Sequence, residues 1–289
     1  MSTQHFRAEV ARGDRFEFGK NWKNFLSVLD DQRIAEAERS LTKMLGTDTL
    51  AGRTFLDVGS GSGLFSLAAM RLGADKVHSF DYDPQSVACT AELQRRYFHG
   101  DDRWTVERGS ALDAGYLRSL GQWDVVYSWG VLHHTGNMWQ ALDNVAQLVK
   151  PGGRLFISIY NDQGALSKFW RAVKVLYNKG TAGRWLVTGA FVPYFFGRSF
   201  VMDLLRGKNP VRSYTNYKKS RGMSRLHDLR DWLGGYPFEV ASPEAVFTFY
   251  RDRSYVLTSL KTCKGGIGCN EFVFARELRN ETSEMRNEK

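Results

Sequence analysis

The chain has 289 residues, 43% of them hydrophobic, which suits one large α/β core with elaborations or a core plus a small second unit. Three scattered cysteines, Cys89, Cys263 and Cys269, are too few for a disulfide framework and lack the paired spacing of a zinc site, so a reducing, cytoplasmic setting is expected. The net charge of +9 is local: residues 161–240 hold 14 Lys or Arg against 5 Asp or Glu, and the remainder is balanced, so the excess is a field aimed at a partner or a surface.

Met1 to Asp14 is polar and has no apolar signal core. Phe16 to Leu26 carries bulky apolar groups in a segment too short for its own core, so Phe18 and Trp22 either pack across the main domain or line a pocket there. Asp31 to Leu45 reads as a helix, with Ile34, Ala37, Leu41, Met44 and Leu45 on one face, and Gly46 stops it. Residues 1–50 are thus expected to form a helical cap on a core that begins near residue 51.

Thr54 to Val58 is a short strand-forming run, followed by Gly59, Gly61 and Gly63 and then by a helix from Leu64 to Leu72. Strand, glycine turn and helix together mark a nucleotide site. A dinucleotide fingerprint needs its third glycine three residues after the second; here it comes after two. Asp57 precedes the turn, where a carboxylate repels phosphate and suits an ammonium group. Lys76 to Phe80 is a second strand ending at Asp81, about 20 residues beyond the loop, where doubly wound sites keep an acid for ribose hydroxyls. Asp83 with Pro84 reads as a helix cap, and Tyr82 is placed to stack on adenine.

A helix from Ser86 to Phe98 leads to a third strand at Trp104 and the turn Gly109-Ser-Ala-Leu-Asp113. The fourth strand, Trp123 to Trp129, includes Ser128 and leads into Gly130-Val-Leu-His-His-Thr135. After a helix from Ala141 and a turn at Lys150-Pro-Gly-Gly, Arg154 to Tyr160 is the fifth strand. Such alternation gives a parallel sheet with right-handed crossovers.

Asp57-Val-Gly-Ser-Gly-Ser-Gly63 resembles the first motif of class I S-adenosylmethionine-dependent methyltransferases, (Asp/Glu)-x-Gly-x-Gly-x-Gly. Asp124-Val-Val with Val131-Leu-His-His resembles the same family's fourth-strand motif. The likeness covers roughly residues 50–160 and 242–276, and comes closest to the branch that methylates quinone precursors and other small metabolites.

It implies a Rossmann-like, seven-stranded, mostly parallel sheet with a C-terminal antiparallel strand, and a helical insertion after strand five. It implies S-adenosylmethionine as cofactor and S-adenosylhomocysteine as product. Asp57, Gly59, Ser60, Gly61, Gly63, Asp81, Tyr82, Ser110, Ala111 and Ser128 are then the cofactor residues. The family often has Asp where Ser110 stands, so Asp113 is a candidate substitute for that contact. No metal is implied. His134, His133 and Tyr160, at the carboxyl edge of strands four and five, are the catalytic or acceptor-contacting candidates, since an acceptor hydroxyl benefits from a base of near-neutral pKa. Polar groups of Asn161, Asp162 and the loop Cys263 to Asn270 lie at the same edge.

Residues 161–241 read as the insertion, a lid, and residues 242–276 as a helix plus strand pair closing the core; 277–289 is a charged tail. Leu166 to Tyr177 is a basic amphipathic helix, with Lys168, Arg171 and Lys174 flanking the apolar face. Trp185 to Phe196 is an apolar run interrupted by Gly189 and Pro193 and too short to cross a bilayer. The expected partner is a small-molecule or amphipathic acceptor, with peripheral membrane contact through 161–240. An RNA (tRNA) methyltransferase gripping nucleic acid through that basic segment, or a non-catalytic cofactor-binding protein, are the alternatives.

Overall fold

The computed structural model describes residues 3–207, 209, 229 and 232–278. Helices α1 (Thr3–Arg12), α2 (Gly19–Leu26) and α3 (Asp31–Leu45) open the chain. α3 starts where the Asp30 carboxylate accepts from the Arg33 amide and stops where Gly46 takes φ 60°, a left-handed C-cap that glycine adopts without strain. The five residues expected on its inner face are buried, and each of the larger ones contributes roughly 1.5–3 kcal/mol.

The alternating core follows: β1 (Thr54–Val58), α4 (Leu64–Arg71), β2 (Lys76–Asp81), α5 (Pro84–Tyr97), β3 (Trp104–Arg108), α6 (Ala114–Ser119), β4 (Trp123–Trp129), α7 (Met138–Ala146) and β5 (Val149–Tyr160). Helices α8 (Ala165–Asn178) and α9 (Gly180–Leu205) belong to the described part of the insertion; α10 (Pro243–Arg251), β6 (Tyr255–Lys261) and β7 (Cys269–Arg276) complete the core. The sheet order is β3-β2-β1-β4-β5-β7-β6, with β1 to β5 parallel and β7 antiparallel to both neighbours. This is the seven-stranded Rossmann-like arrangement that the sequence implies.

Alternating strand residues feed two cores. Phe55, Val77, Val125 and Phe156 pack against α3, α4 and α5. Leu56, Val126, Leu155, Ile157 and Phe274 pack against α7 and α10. Burial on both faces makes the central strands near-continuous apolar runs, which is why they are easy to find in the sequence.

Three elements depart from the sequence reading. β5 begins at Val149, paired with Trp123 ahead of a bulge, so Lys150-Pro-Gly-Gly is carried within the strand. β7 begins at Cys269, which moves Cys269 and Asn270 out of the loop. α9 runs unbroken through Pro193; glycine at the fourth preceding position, Gly189, gives the carbonyl facing the proline ring room to tilt away. Of the 14 basic residues counted in 161–240, Lys208, Arg212, Lys218, Lys219, Arg221, Arg225 and Arg230 lie outside the described residues, as does the tail from residue 279.

Candidate active site

The loops after β1 to β4 and the end of β5, at the carboxyl edge of the parallel strands, meet one cavity of about 750 Å³, and this edge is where open α/β sheets hold ligands. Its floor is the glycine turn. Gly59, Gly61 and Gly63 have φ of 79°, 55° and 80°, values that favour glycine. A Cβ on Gly59 would lie 2.4 Å from Cγ1 of Val131, so the turns after β1 and β4 are in direct contact. α4 then starts at Leu64 with no side-chain cap, leaving first-turn N–H groups to face a ligand.

Two carboxylates border this floor. Asp57 is 2% exposed and accepts a hydrogen bond from the Ser66 hydroxyl. Ser66 is itself reached by a relay in which Trp104 Nε1–H donates to Ser79 Oγ (2.8 Å), and Ser79 donates to Ser66 Oγ (2.7 Å). Burial pushes the Asp57 carboxyl up to about 7, against the Ser66 hydrogen bond and with help from the Asp81 charge. Asp81 accepts from the Asp83 amide at 2.8 Å and the Gly61 amide at 2.9 Å. Burial nevertheless raises its pKa to about 6.

Asp83 caps α5 through the Gln85 amide, as its sequence position implies, and also accepts from the Gly19 amide at 2.7 Å. That second bond ties the start of α2 to the cofactor edge and brings Phe18 and Trp22 onto the cavity wall. Tyr82 is on the wall too, with Arg15 and Arg108 guanidinium groups 4.7 and 5.4 Å from its ring centre and Phe6 at 5.6 Å. Burial, with a Glu9 hydrogen bond, raises its phenol to about 12.

Asp57, Gly59, Ser60, Gly61, Asp81, Tyr82, Ser110, Ala111, His134 and Tyr160 converge on the cavity; Gly63, Ser128, His133 and Asp113 do not. Gly63 faces α5, where a Cβ would come within 2.9 Å of Thr90. Ser128 is fully buried and donates to the Val58 carbonyl at 2.9 Å. Asp113 caps α6 through the Tyr116 amide. His133 is fully buried, with its ring 4.0 Å from that of Tyr160 and 4.5 Å from that of His134. Asn161 and Asn270 bond each other at 3.0 Å and hold the loop after β6 against the end of β5, so their amides are occupied by structure.

His134 closes a single 3₁₀ turn, Leu132–His134, with the ring of Phe18 at 4.9 Å. Its Nδ1–H donates to the Pro237 carbonyl, which leaves Nε2 as the ring acceptor. Burial lowers its pKa to about 3, although the Pro237 bond opposes the shift. A near-neutral base at His134 is therefore not what the fold builds; the imidazole is neutral throughout the physiological range.

Several wall residues escape sequence reasoning. Tyr127 and Trp129 lie on β4, Phe65 on α4, and Lys261 and Glu271 form a 2.6 Å ion pair across the β6–β7 hairpin. Position at the carboxyl ends of β4 and β6 was the available signal for Trp129 and Lys261, and the start of the antiparallel β7, which meets the same edge, for Glu271. Arg15, whose Nη1 bonds the His134 carbonyl at 3.1 Å, has no local signature.

Two desolvated carboxylates beside glycine backbone and an uncapped helix start fit a ligand with an ammonium group and a sugar diol, and fit a pyrophosphate poorly. The family profile described as "Methyltransferase domain" matches residues 56–155. The chain is 32% identical over 117 residues to a ribosomal protein L11 methyltransferase of Anoxybacillus flavithermus, covering 36% of this chain and 37% of that one. It is 34% identical over 131 residues to that of Xanthomonas campestris pv. campestris, covering 44% and 38%. The chain thus spans less than two fifths of the length of these curated relatives.

Among solved structures, magnesium protoporphyrin IX methyltransferase of Synechocystis superposes with a TM-score of 0.50 at 12% identity, covering 84% of this chain and 83% of that one. The N-methyltransferase NodS of Bradyrhizobium japonicum does so with a TM-score of 0.50 at 14% identity, covering 90% and 99%. These two share the fold. Residues 56–155 thus match a methyltransferase domain, the fold is the one these two methyltransferases share, and the carboxylates and glycine turn of the site fit S-adenosylmethionine as cofactor.

Proposed function

We propose that this chain transfers a methyl group from S-adenosylmethionine to a small, lipid-like acceptor held in the same cavity. The observation that carries this reading is the composition of the wall: one continuous cavity joins the glycine turn and Asp81 to Phe16, Phe18, Trp22, Phe65 and Trp129. Such a mixture, mostly apolar with a few placed polar groups, is what small-molecule sites use.

S-adenosylmethionine, when bound, supplies an already activated methyl on sulfur. The protein has to align the acceptor and exclude water. Asp57 suits the ammonium group and Asp81 the ribose diol. His134 presents Nε2 as a hydrogen-bond acceptor that orients an acceptor O–H or N–H; with its pKa near 3 it does not store the proton. Tyr160, whose ring packs on both histidines and on Phe238, braces that arrangement. The acceptor's new bond to the methyl would replace the methyl–sulfur bond, leaving S-adenosylhomocysteine, and the acceptor's proton would pass to solvent when the site reopens for product release.

The curated relatives are named for a protein substrate, but they match less than half of this chain. Incubation with methyl-labelled cofactor and fractionated cell extract separates the readings. Label in the solvent-extractable, low-mass fraction is the expected result. Label in protein or in RNA would overturn the acceptor class while leaving the cofactor assignment in place.

A further inference from the structure

α9 is built unlike the other helices of the chain. Its buried residues are Gly183 and Val187, both in its first eight positions. At 1.5 Å per residue its 26 residues span about 39 Å, against about 21 Å for the 14 of α8. Phe191 and Phe195 pack on Trp170 of α8 with ring centres 5.3 and 6.0 Å away. The distal turns run on past the end of that partner. There Phe200, Val201, Leu204 and Leu205 are 53%, 52%, 55% and 76% exposed, and Trp185 and Leu186 nearer the start are 73% and 64% exposed.

Cations frame this surface. Arg184 and Arg198 on α9 and Arg206 at its C-terminal cap are exposed, as are Lys168, Arg171 and Lys179 on and just after α8. Between Ala165 and Leu205 the sequence has one acid, Asp203. Lys174 does not join them. It is fully buried, donates to the Trp232 carbonyl, and lies 4.3 and 4.9 Å from the ring centres of Trp232 and Phe238. The same cluster of Trp170, Val173, Tyr177 and Phe238 meets Phe16 and Tyr160 of the cavity wall, so the exposed helix is anchored to the site.

We propose that α9 docks on an anionic lipid bilayer, its bulky apolar residues seated at the headgroup level and its arginines against lipid phosphates. Large exposed apolar residues rimmed by charged groups are the mark of an interaction surface, and the excess of positive charge, six exposed cations against Asp203, matches an anionic membrane and not a second copy of the same cationic face. No helix among the described residues is long and apolar enough to cross a membrane, so the contact is interfacial. The inference extends the lipid-like acceptor reading but does not need it, because binding to vesicles is measured without acceptor or turnover.

The test is sedimentation of the full chain with phosphatidylcholine vesicles containing graded phosphatidylglycerol. Binding should rise with anionic content and fall with salt. Leu204→Asp with Leu205→Asp, and separately Arg198→Glu with Arg206→Glu, should each lower partitioning about tenfold or more with affinity for S-adenosylhomocysteine unchanged. Wild-type protein that stays in the supernatant at low salt overturns the proposal. So does a self-association, seen by analytical ultracentrifugation, that the leucine substitutions abolish while vesicle binding is absent; α9 would then be an interface between copies.

Discussion

Asp57 and Asp81 give the site a proton linkage. Both are raised by burial, to about 7 and about 6, and a ligand donating to them binds the ionised forms. Affinity for S-adenosylhomocysteine should therefore be flat above pH 7.5 and weaken by up to about tenfold per unit as pH falls through 7, more steeply below 6. Calorimetry between pH 8 and 5.5 checks this, and a flat profile would contradict it. The same burial makes ionised Asp57 a cost to the ligand-free fold. Its folded pKa lies above the unfolded value, so that cost grows as pH climbs from about 4 to about 7 and is complete beyond. At pH 8 Asp57→Asn should raise the ligand-free melting temperature by about 2–4 °C and weaken cofactor binding, with no thermal gain at pH 4. For His134, which orients the acceptor, substitution by Ala should lower turnover about 10²-fold through misplacement of the acceptor atom, with cofactor affinity intact. With cofactor saturating, so that titration of Asp57 and Asp81 is not rate-determining, the pH–rate profile should show no limb near 6.5. A loss under about threefold would make the residue structural.

Motif spacing alone separates these residues from their neighbours imperfectly. Asp57 and Asp81 were legible because a strand end fixes where a side chain arrives. Gly63, Ser128 and His133 carry the same motif positions yet face α5, the Val58 carbonyl and the Tyr160 ring; which way a loop residue turns depends on packing from distant segments that the local pattern does not hold.

At the scale of elements, the glycine turn and the α8–α9 hairpin make opposite demands. The turn is wedged: Gly61 has φ 55°, and a Cβ there would lie 3.1 Å from the Trp22 indole. Gly61→Val should cost at least about tenfold in cofactor affinity through strain and lost space, a loss that titration of the folded variant would show. On α8 the helical period puts Lys174 at the flank of the apolar face with Lys168 and Arg171. Lys174 is instead sealed, while Leu166, Phe169 and Leu176 of the apolar face are 39–49% exposed. Periodicity finds the stripe but not which edge of it the next element covers. Lys174→Ala should destabilise by about 2–4 kcal/mol, emptying a packed site and orphaning the Trp232 carbonyl, while Lys168→Ala stays within about 0.5 kcal/mol. Denaturant unfolding of the two variants distinguishes them.

Across the whole molecule, the sheet was readable end to end because buried parallel strands are continuous apolar runs separated by turn residues. The insertion was readable in charge but not in shape, because α9 continues through Gly189 and Pro193 and leaves most of its length uncovered. The resulting molecule has a neutral cofactor core and a cationic helical hairpin joined at the aromatic wall around Tyr160 and Phe238. The central claim is that this core holds S-adenosylmethionine through its two carboxylates and the glycine turn. Calorimetric titration with S-adenosylhomocysteine and with NAD tests it most directly. The account predicts micromolar-range affinity for the first (roughly −8 kcal/mol), none measurable for the second, and a loss of about 1–3 kcal/mol with Asp81→Ala. Preferential binding of NAD, or an Asp81→Ala variant that binds S-adenosylhomocysteine as well as the wild type, would contradict it.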